Sequence, residues 1–304
     1  MKKSVPVLPY LALLAVSLIW GTTYLALRIG VMKFPPFLFT AIRQMCAGML
    51  LFTPLFFTLK TRHLSFRYVL QQAVAGFFLI TLGNGLVAWA EVYVPSGVAA
   101  VLCSLLPVAV ILINLLVYHE RPAFVVVFGT LLGLGGMLLM FSEHLADLGR
   151  LEYRLGIFWI LIAVLSWASG SLWLKKQQPD FSPFMNAALQ MFFGGLFCLI
   201  FSFVFDKYDS LVWTTEAIYA LIYLILFGSI LAYASYLYAL RTLPIALVSV
   251  YAYINPVVAV VLGWLVLDEK LNLRIVFAII VVLIGIFLVN RGYRYLGKRI
   301  SGKN

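Results

Sequence analysis

The chain has 304 residues, of which 64% are hydrophobic and only 11% charged, with a mean hydropathy of +1.05. No water-soluble domain of this size needs so much apolar side chain, so the composition excludes a soluble globular protein and places the chain in a bilayer. The net charge of +11 sits in short intervals between long apolar runs, a pattern that assigns it to loops on the cytoplasmic face rather than to a nucleic-acid partner.

A stretch of about 20 apolar residues crosses the hydrocarbon core. Ten such stretches are predicted, at 8–28, 36–58, 68–92, 96–118, 123–142, 155–175, 183–205, 216–240, 244–266 and 273–291. The fold class is therefore an all-α polytopic membrane protein. The first stretch follows Lys2 and Lys3 like a signal peptide, but it is too long and lacks a clear cleavage site, so it is read as an uncleaved helix. With the N-terminus inside, the cytoplasmic segments hold fourteen Lys and Arg and the outer segments seven. That bias puts both termini in the cytoplasm. Cys46, Cys103 and Cys198 all fall within apolar runs and read as buried small hydrophobes rather than a disulfide set.

In chain order, the first stretch carries Trp20-Gly21-Thr22-Thr23 and the sixth Trp167-Ala168-Ser169-Gly170-Ser171. Small residues let helices approach and hydroxyls bond across them. The tryptophans either face a central cavity or simply pack. Arg43 lies a turn or two inside the second stretch, and an intramembrane charge wants a named partner. Glu91, at similar depth near the end of the third, is the expected partner, in an ion pair or as a proton-coupling site. Snorkelling of Arg43 to the outer surface is the plainer alternative. The third stretch also holds Asn84 between Gly83 and Gly85, an amide at depth that calls for a ligand or a structural bond.

The fourth and ninth stretches carry mid-membrane prolines. Pro107 cannot donate to the carbonyl of Cys103, nor Pro256 to that of Ala252. In lipid, freed carbonyls are tolerated where protein or a watered cavity satisfies them, so helix breaks are expected at both. Tyr251 and Asn255, four apart, share a helix face. Pro95 and Pro244, Pro107 and Pro256, Glu120 and Glu269, and Gly136 and Gly285 are all separated by 149 residues. Trp20 and Trp167 are offset by 147, Gln44 and Gln190 by 146, and Asn84 aligns with Tyr233. The chain reads as a duplication, residues 1–148 and 149–304. Five crossings per half make the second half enter the membrane the opposite way, the inverted arrangement that secondary transporters use around a midplane site.

Catalytic patterns are missing: no H-E-x-x-H, no G-x-S-x-G and no Cys/His cluster occurs, and His63, His119 and His144 fall in loops. Gly292 to Arg299 mimics a phosphate-binding loop but has Arg where Ser or Thr must hold magnesium, and it follows an apolar helix instead of a strand. No enzyme activity, cofactor or metal is expected.

The segments IWGTTY at 19–24, RIG at 28–30, GNG at 83–85, VPSGVAAV at 94–101, SWASGS at 166–171, FGSI at 227–230 and YAYINPVVAVVLG at 251–263 together resemble the EamA branch of the drug/metabolite transporter superfamily, over essentially the whole chain. The resemblance implies ten helices in two inverted five-helix repeats around a central cavity, solute export and a place in the bacterial inner membrane. The expected activity is that of a secondary transporter or facilitator exporting small amphipathic metabolites, amino acids or drugs. Its partners are the solute and the bilayer. A lipid-carrier flippase is the leading alternative, and a membrane enzyme a more remote one. The expected solute site is Trp20, Asn84, Trp167, Tyr233, Tyr251 and Asn255.

Overall fold

The computed structural model describes residues 7–58, 64–120, 122–140, 150–177, 182–209, 211–267 and 273–301. Among these there is no strand. Ten helical segments run in order: α1 (Leu8–Val31), α2 (Pro36–Thr58), α3 (Phe66–Ala90), α4 (Ser96–Leu116), α5 (Phe124–Met140), α6 (Leu151–Gln177), α7 (Pro183–Phe205), α8 (Thr215–Thr242), α9 (Ile245–Val248 and Tyr251–Leu267) and α10 (Leu273–Ser301). Eight are long and apolar enough to cross a membrane, and α5 and the stretch Ile245–Val258 of α9 are shorter apolar helices. Large side chains such as Leu18, Leu25, Phe203 and Phe287 face outward, as expected where the surroundings are acyl chains. Residues 292–299 continue α10 as helix. Glu269, His63 and His144 lie outside the described residues.

Short loops set the helix starts. Ser65 and Thr214 accept from the backbone N–H groups of Tyr68 and Ala217, each at 3.2 Å, and so cap α3 and α8. Pro95 and Pro244 precede α4 and α9, where a missing donor costs nothing. The Asp206 carboxylate, at the end of α7, accepts from Phe37 N at 3.3 Å and Leu38 N at 2.8 Å. This covers the exposed N–H groups at the start of α2. Basic residues close the opposite ends. Arg28 of α1 donates to Val94 O at 2.8 Å beyond α3. Lys175 of α6 donates to Leu240 O, Arg241 O and Leu243 O around the end of α8.

These capping devices recur between the halves, and so does the packing. Helix α1 lies against α8 and α9, as α6 lies against α3 and α4. Helix α3 meets α7 as α8 meets α2, while α2 pairs with α7 and α5 with α10. The α5–α10 crossing is close because glycine faces glycine. A Cβ on Gly285 would stand 2.6 Å from Gly129 O and 2.7 Å from Gly133 N, so only residues without side chains permit this backbone approach.

Helices α3 and α8 share a further feature. Phe77–Gly85 of α3 and Leu224–Leu231 of α8 are π-helical. Bonding to the fifth residue instead of the fourth widens the helix and turns the following side chains to a different face, a feature found often at functional sites.

Candidate functional site

The π-helical segment of α3 borders a partly open cavity whose outline, open solvent included, holds about 650 Å³ of empty space. Its walls are Trp20, Thr23, Tyr24 and Leu27 of α1, Arg43 of α2, Gly83, Asn84 and Val87 of α3, and Cys103 and Leu106 of α4. Ala163, Val164 and Trp167 of α6 and Tyr251, Ala252 and Asn255 of α9 complete it. Most of these side chains belong to the later part of α1 and α3 and the early part of α2 and α4, so the cavity lies toward the loops at 32–35 and 91–95. Walls that are mostly apolar with a few placed polar groups suit small organic ligands.

Aromatic rings form its floor. Trp20 meets Trp167 at 5.4 Å between ring centroids, Tyr251 at 4.8 Å and Tyr236 at 5.4 Å. The first two contacts are edge-to-face, the geometry that aligns a positive ring edge with a negative face. The indole N–H groups are spoken for. Trp20 Nε1 donates to Gly228 O at 2.9 Å, and Trp167 Nε1 to the Tyr236 hydroxyl at 3.1 Å. The Tyr236 hydroxyl also bonds Ser171 Oγ at 2.5 Å. The tryptophans therefore offer a solute their ring surfaces, not their donors.

Of the predicted solute-site residues, the structure brings Trp20, Asn84, Trp167, Tyr251 and Asn255 to one cavity. Tyr233 is a correction. It is 2% exposed, stands behind Trp167 at 6.2 Å, and donates to Gln190 Oε1 at 2.6 Å. Gln190 in turn donates to Gln72 at 2.7 Å. The residue is consumed by a polar chain joining α8, α7 and α3. Asn255 has two tasks. With its amide oriented to satisfy both ends, its nitrogen donates to Ser17 O at 3.0 Å and Tyr251 O at 2.9 Å, which ties α9 to α1. Its other face borders the cavity beside Tyr24.

The expected Arg43–Glu91 ion pair is not made. The nearest arrangement is different: Arg43 Nε donates to Ser229 Oγ of α8 at 2.9 Å. The Glu91 carboxylate is fully buried at the end of α3, and neither oxygen has a hydrogen-bond partner. Arg28 and Arg43 both lie within its electrostatic reach. Equal depth was a poor guide to pairing, because the direction of each side chain around its helix axis decides what it meets.

The breaks also need one correction. In α4 the helix stops at Ser104–Leu105, and Pro107 sits in the first turn of Leu106–Leu116. In α9, however, Tyr251–Leu267 runs straight through Pro256, and the break is at Ser249–Val250. Serine marks both breaks. Ser104 Oγ donates to Val101 O at 2.5 Å and Ser249 Oγ to Ala246 O at 3.0 Å. Such local bonds compete with the helical ladder. Cys103 and Ala252, whose carbonyls the prolines cannot serve, both line the cavity. Sequence reading missed Tyr24, Ser229 and Tyr236 as part of the site. For Tyr24 the signal was available, since it lies one helical turn beyond Trp20 on the same face.

Comparison with known proteins bears on this arrangement. The EamA-like transporter family matches residues 7–142 and again residues 154–291. The inner membrane transporter YedA of Escherichia coli K12 is 34% identical over 292 residues, covering 91% of each chain. The transporter YoaV of Bacillus subtilis is 26% identical over 279 residues, covering 91% of this chain and 95% of its own. One crystal structure of a protein only 18% identical superposes with a TM-score of 0.77 over 95% of this chain and 98% of that one, which shows a common fold.

Proposed function

Because the chain belongs to the EamA-like transporter family and is a multi-pass membrane transporter, we propose that it is a secondary transporter or facilitator that exports small amphipathic solutes across the inner membrane by alternating access. The observation that carries this reading is the cavity itself. It is walled by both halves of the chain and closed on one side by Trp20, Trp167 and Tyr251, with Tyr236 packed against Trp20. Aromatic faces beside Asn84, Asn255 and Thr23 suit a solute with a flat apolar body and a few polar groups. The inner membrane is the location carried in the name of the Escherichia coli relative, and the same location is proposed here.

In this reading residues 1–148 and 149–304 are inverted repeats, with both termini cytoplasmic. The cavity then faces the outer side, and the aromatic floor bars the way inward. Rocking of one half against the other would open the layer around Tyr233 and Tyr236 to the cytoplasm and shut the layer around Asn84. The close glycine crossing of α5 and α10 would act as scaffold.

The test is counterflow of a panel of radiolabelled small solutes in proteoliposomes without ATP. Asn84→Ala should lower flux of an identified solute at least tenfold while insertion and unfolding temperature stay near wild type. Full flux in this variant would mean that the solute crosses elsewhere.

A further inference from the structure

Among the described residues that wall the cavity, Arg43 carries the one charge. It is 4% exposed and lines the cavity. Its Nε is fixed by Ser229 Oγ at 2.9 Å, which pins one edge of the guanidinium plane. The two terminal amino groups make no hydrogen bond to any described residue. One of them stands beside Gly228 and Thr23, 3.0 Å from where a Cβ on Gly228 would be. A planar fork with one edge anchored and its paired donors open is the geometry that receives a carboxylate or similar anion.

The local charge balance supports the same conclusion. Glu91 does not pair with Arg43, and the cations in its reach are two, Arg28 and Arg43. One carboxylate against two guanidinium groups leaves one positive charge without a counterpart even when Glu91 is ionised. Tyr24 and Cys103, the other titratable neighbours of Glu91, add no negative charge in their neutral forms. Arg28 is turned to Val94 O, so the surplus is presented at Arg43. Asn84, in the same cavity wall, has an amide with no hydrogen bond to the described residues, and Trp20 and Trp167 line that cavity too.

We infer that Arg43 is the recognition site for the anionic group of the solute, so that the cavity takes organic monoanions whose aromatic or apolar body rests on Trp20, Trp167 and Tyr251. This rests on the transport reading above and narrows its substrate class. Ser229 acts as a positioning residue, holding the fork open to the cavity.

Three probes of one shape test this with the full chain purified in detergent: 3-phenylpropionate, its neutral amide, and 3-phenylpropylamine. Calorimetry on the wild-type protein should give at least tenfold tighter binding for the carboxylate than for the amide, with the amine weakest. Arg43→Gln should bring carboxylate and amide to equal affinity, and Arg43→Lys should restore part of the preference. Equal binding of all three probes, binding of the amine alone, or no binding of the carboxylate to wild type would overturn the inference, as would a tenfold preference surviving in Arg43→Gln. Since the wild-type charge series decides the matter, a variant that fails to fold leaves the test standing. Counterflow separates the two claims. Transport of the amide or amine but not the carboxylate would sink anion recognition and leave the transporter reading intact, whereas carboxylate preference in binding with no flux of any probe would do the reverse.

Discussion

Helices α3 and α8 share a π-helical segment and are used in opposite ways. Each contains a π-helical segment, Phe77–Gly85 and Leu224–Leu231, and each packs against the first helix of the other half. Yet α3 gives the cavity Gly83, Asn84 and Val87, while α8 lines none of it. Instead α8 sends Tyr236 to Trp167 and Ser171 and Tyr233 to Gln190. Two similar π-helical segments thus stand in different conditions, one beside open space and one next to hydrogen-bonded tyrosines. The lesson is that similar backbone can stand in two unlike layers, and in the alternating-access cycle proposed above that unlikeness is what would be exchanged.

The largest effect should come from a methyl group on Gly83. A Cβ on Gly83 would stand 2.7 Å from the Trp167 ring, whereas one on Gly228 would first meet the tips of Arg43 and Thr23 at 3.0 Å. Gly83→Ala should therefore lower stability by about 1–3 kcal/mol, the usual cost of overpacking, and Gly228→Ala by less than about 1 kcal/mol. Thermal unfolding in detergent measures both, and equal losses would break the comparison. Next is the sealed layer. Tyr233→Phe leaves Gln190 Oε1 without its donor, and the expected loss is about 1–3 kcal/mol, the cost of an orphaned buried group. Ligand affinity should be unchanged, since Tyr233 does not reach the cavity. The smallest stability effect belongs to Asn84→Ala, within about 0.5 kcal/mol of wild type, because the amide has no hydrogen bond to the described residues. Its effect should appear in solute flux instead. A variant of Asn84 that unfolds readily would give α3 the same structural duty as α8.

The ten helices were legible because the bilayer imposes length: each apolar run long enough to cross is bounded by Lys, Arg, Pro or Ser within a few residues. Trp20, Asn84, Trp167, Tyr251 and Asn255 were legible for the same reason, as large or polar groups at depth in otherwise aliphatic runs. What failed was direction around the helix. Pairing Asn84 with Tyr233 by a constant offset ignores the π-helical slip: Asn84 lies inside its segment, while Tyr233 lies two residues beyond the end of its own. Matching Arg43 to Glu91 by depth overlooked Ser229, which no hydropathy pattern singles out. Proline drew attention from Ser104 and Ser249, the residues that mark both helix breaks. Proline removes one bond, and α9 absorbs that loss within a continuous helix, whereas a buried hydroxyl that bonds back three residues offers the chain another partner.

The central claim is that the Asn84 layer and the Tyr233 layer open alternately to opposite faces of the membrane. In a background with Cys46, Cys103 and Cys198 replaced, Asn84→Cys and Tyr233→Cys are each challenged with a membrane-impermeant thiol reagent, applied in turn to the two sides of oriented vesicles. Asn84→Cys should react from one side only and Tyr233→Cys from the other. A solute that draws the protein toward one state should raise one rate as it lowers the other. Labelling of both positions from the same side, or a solute that changes both rates in the same direction, would contradict the account.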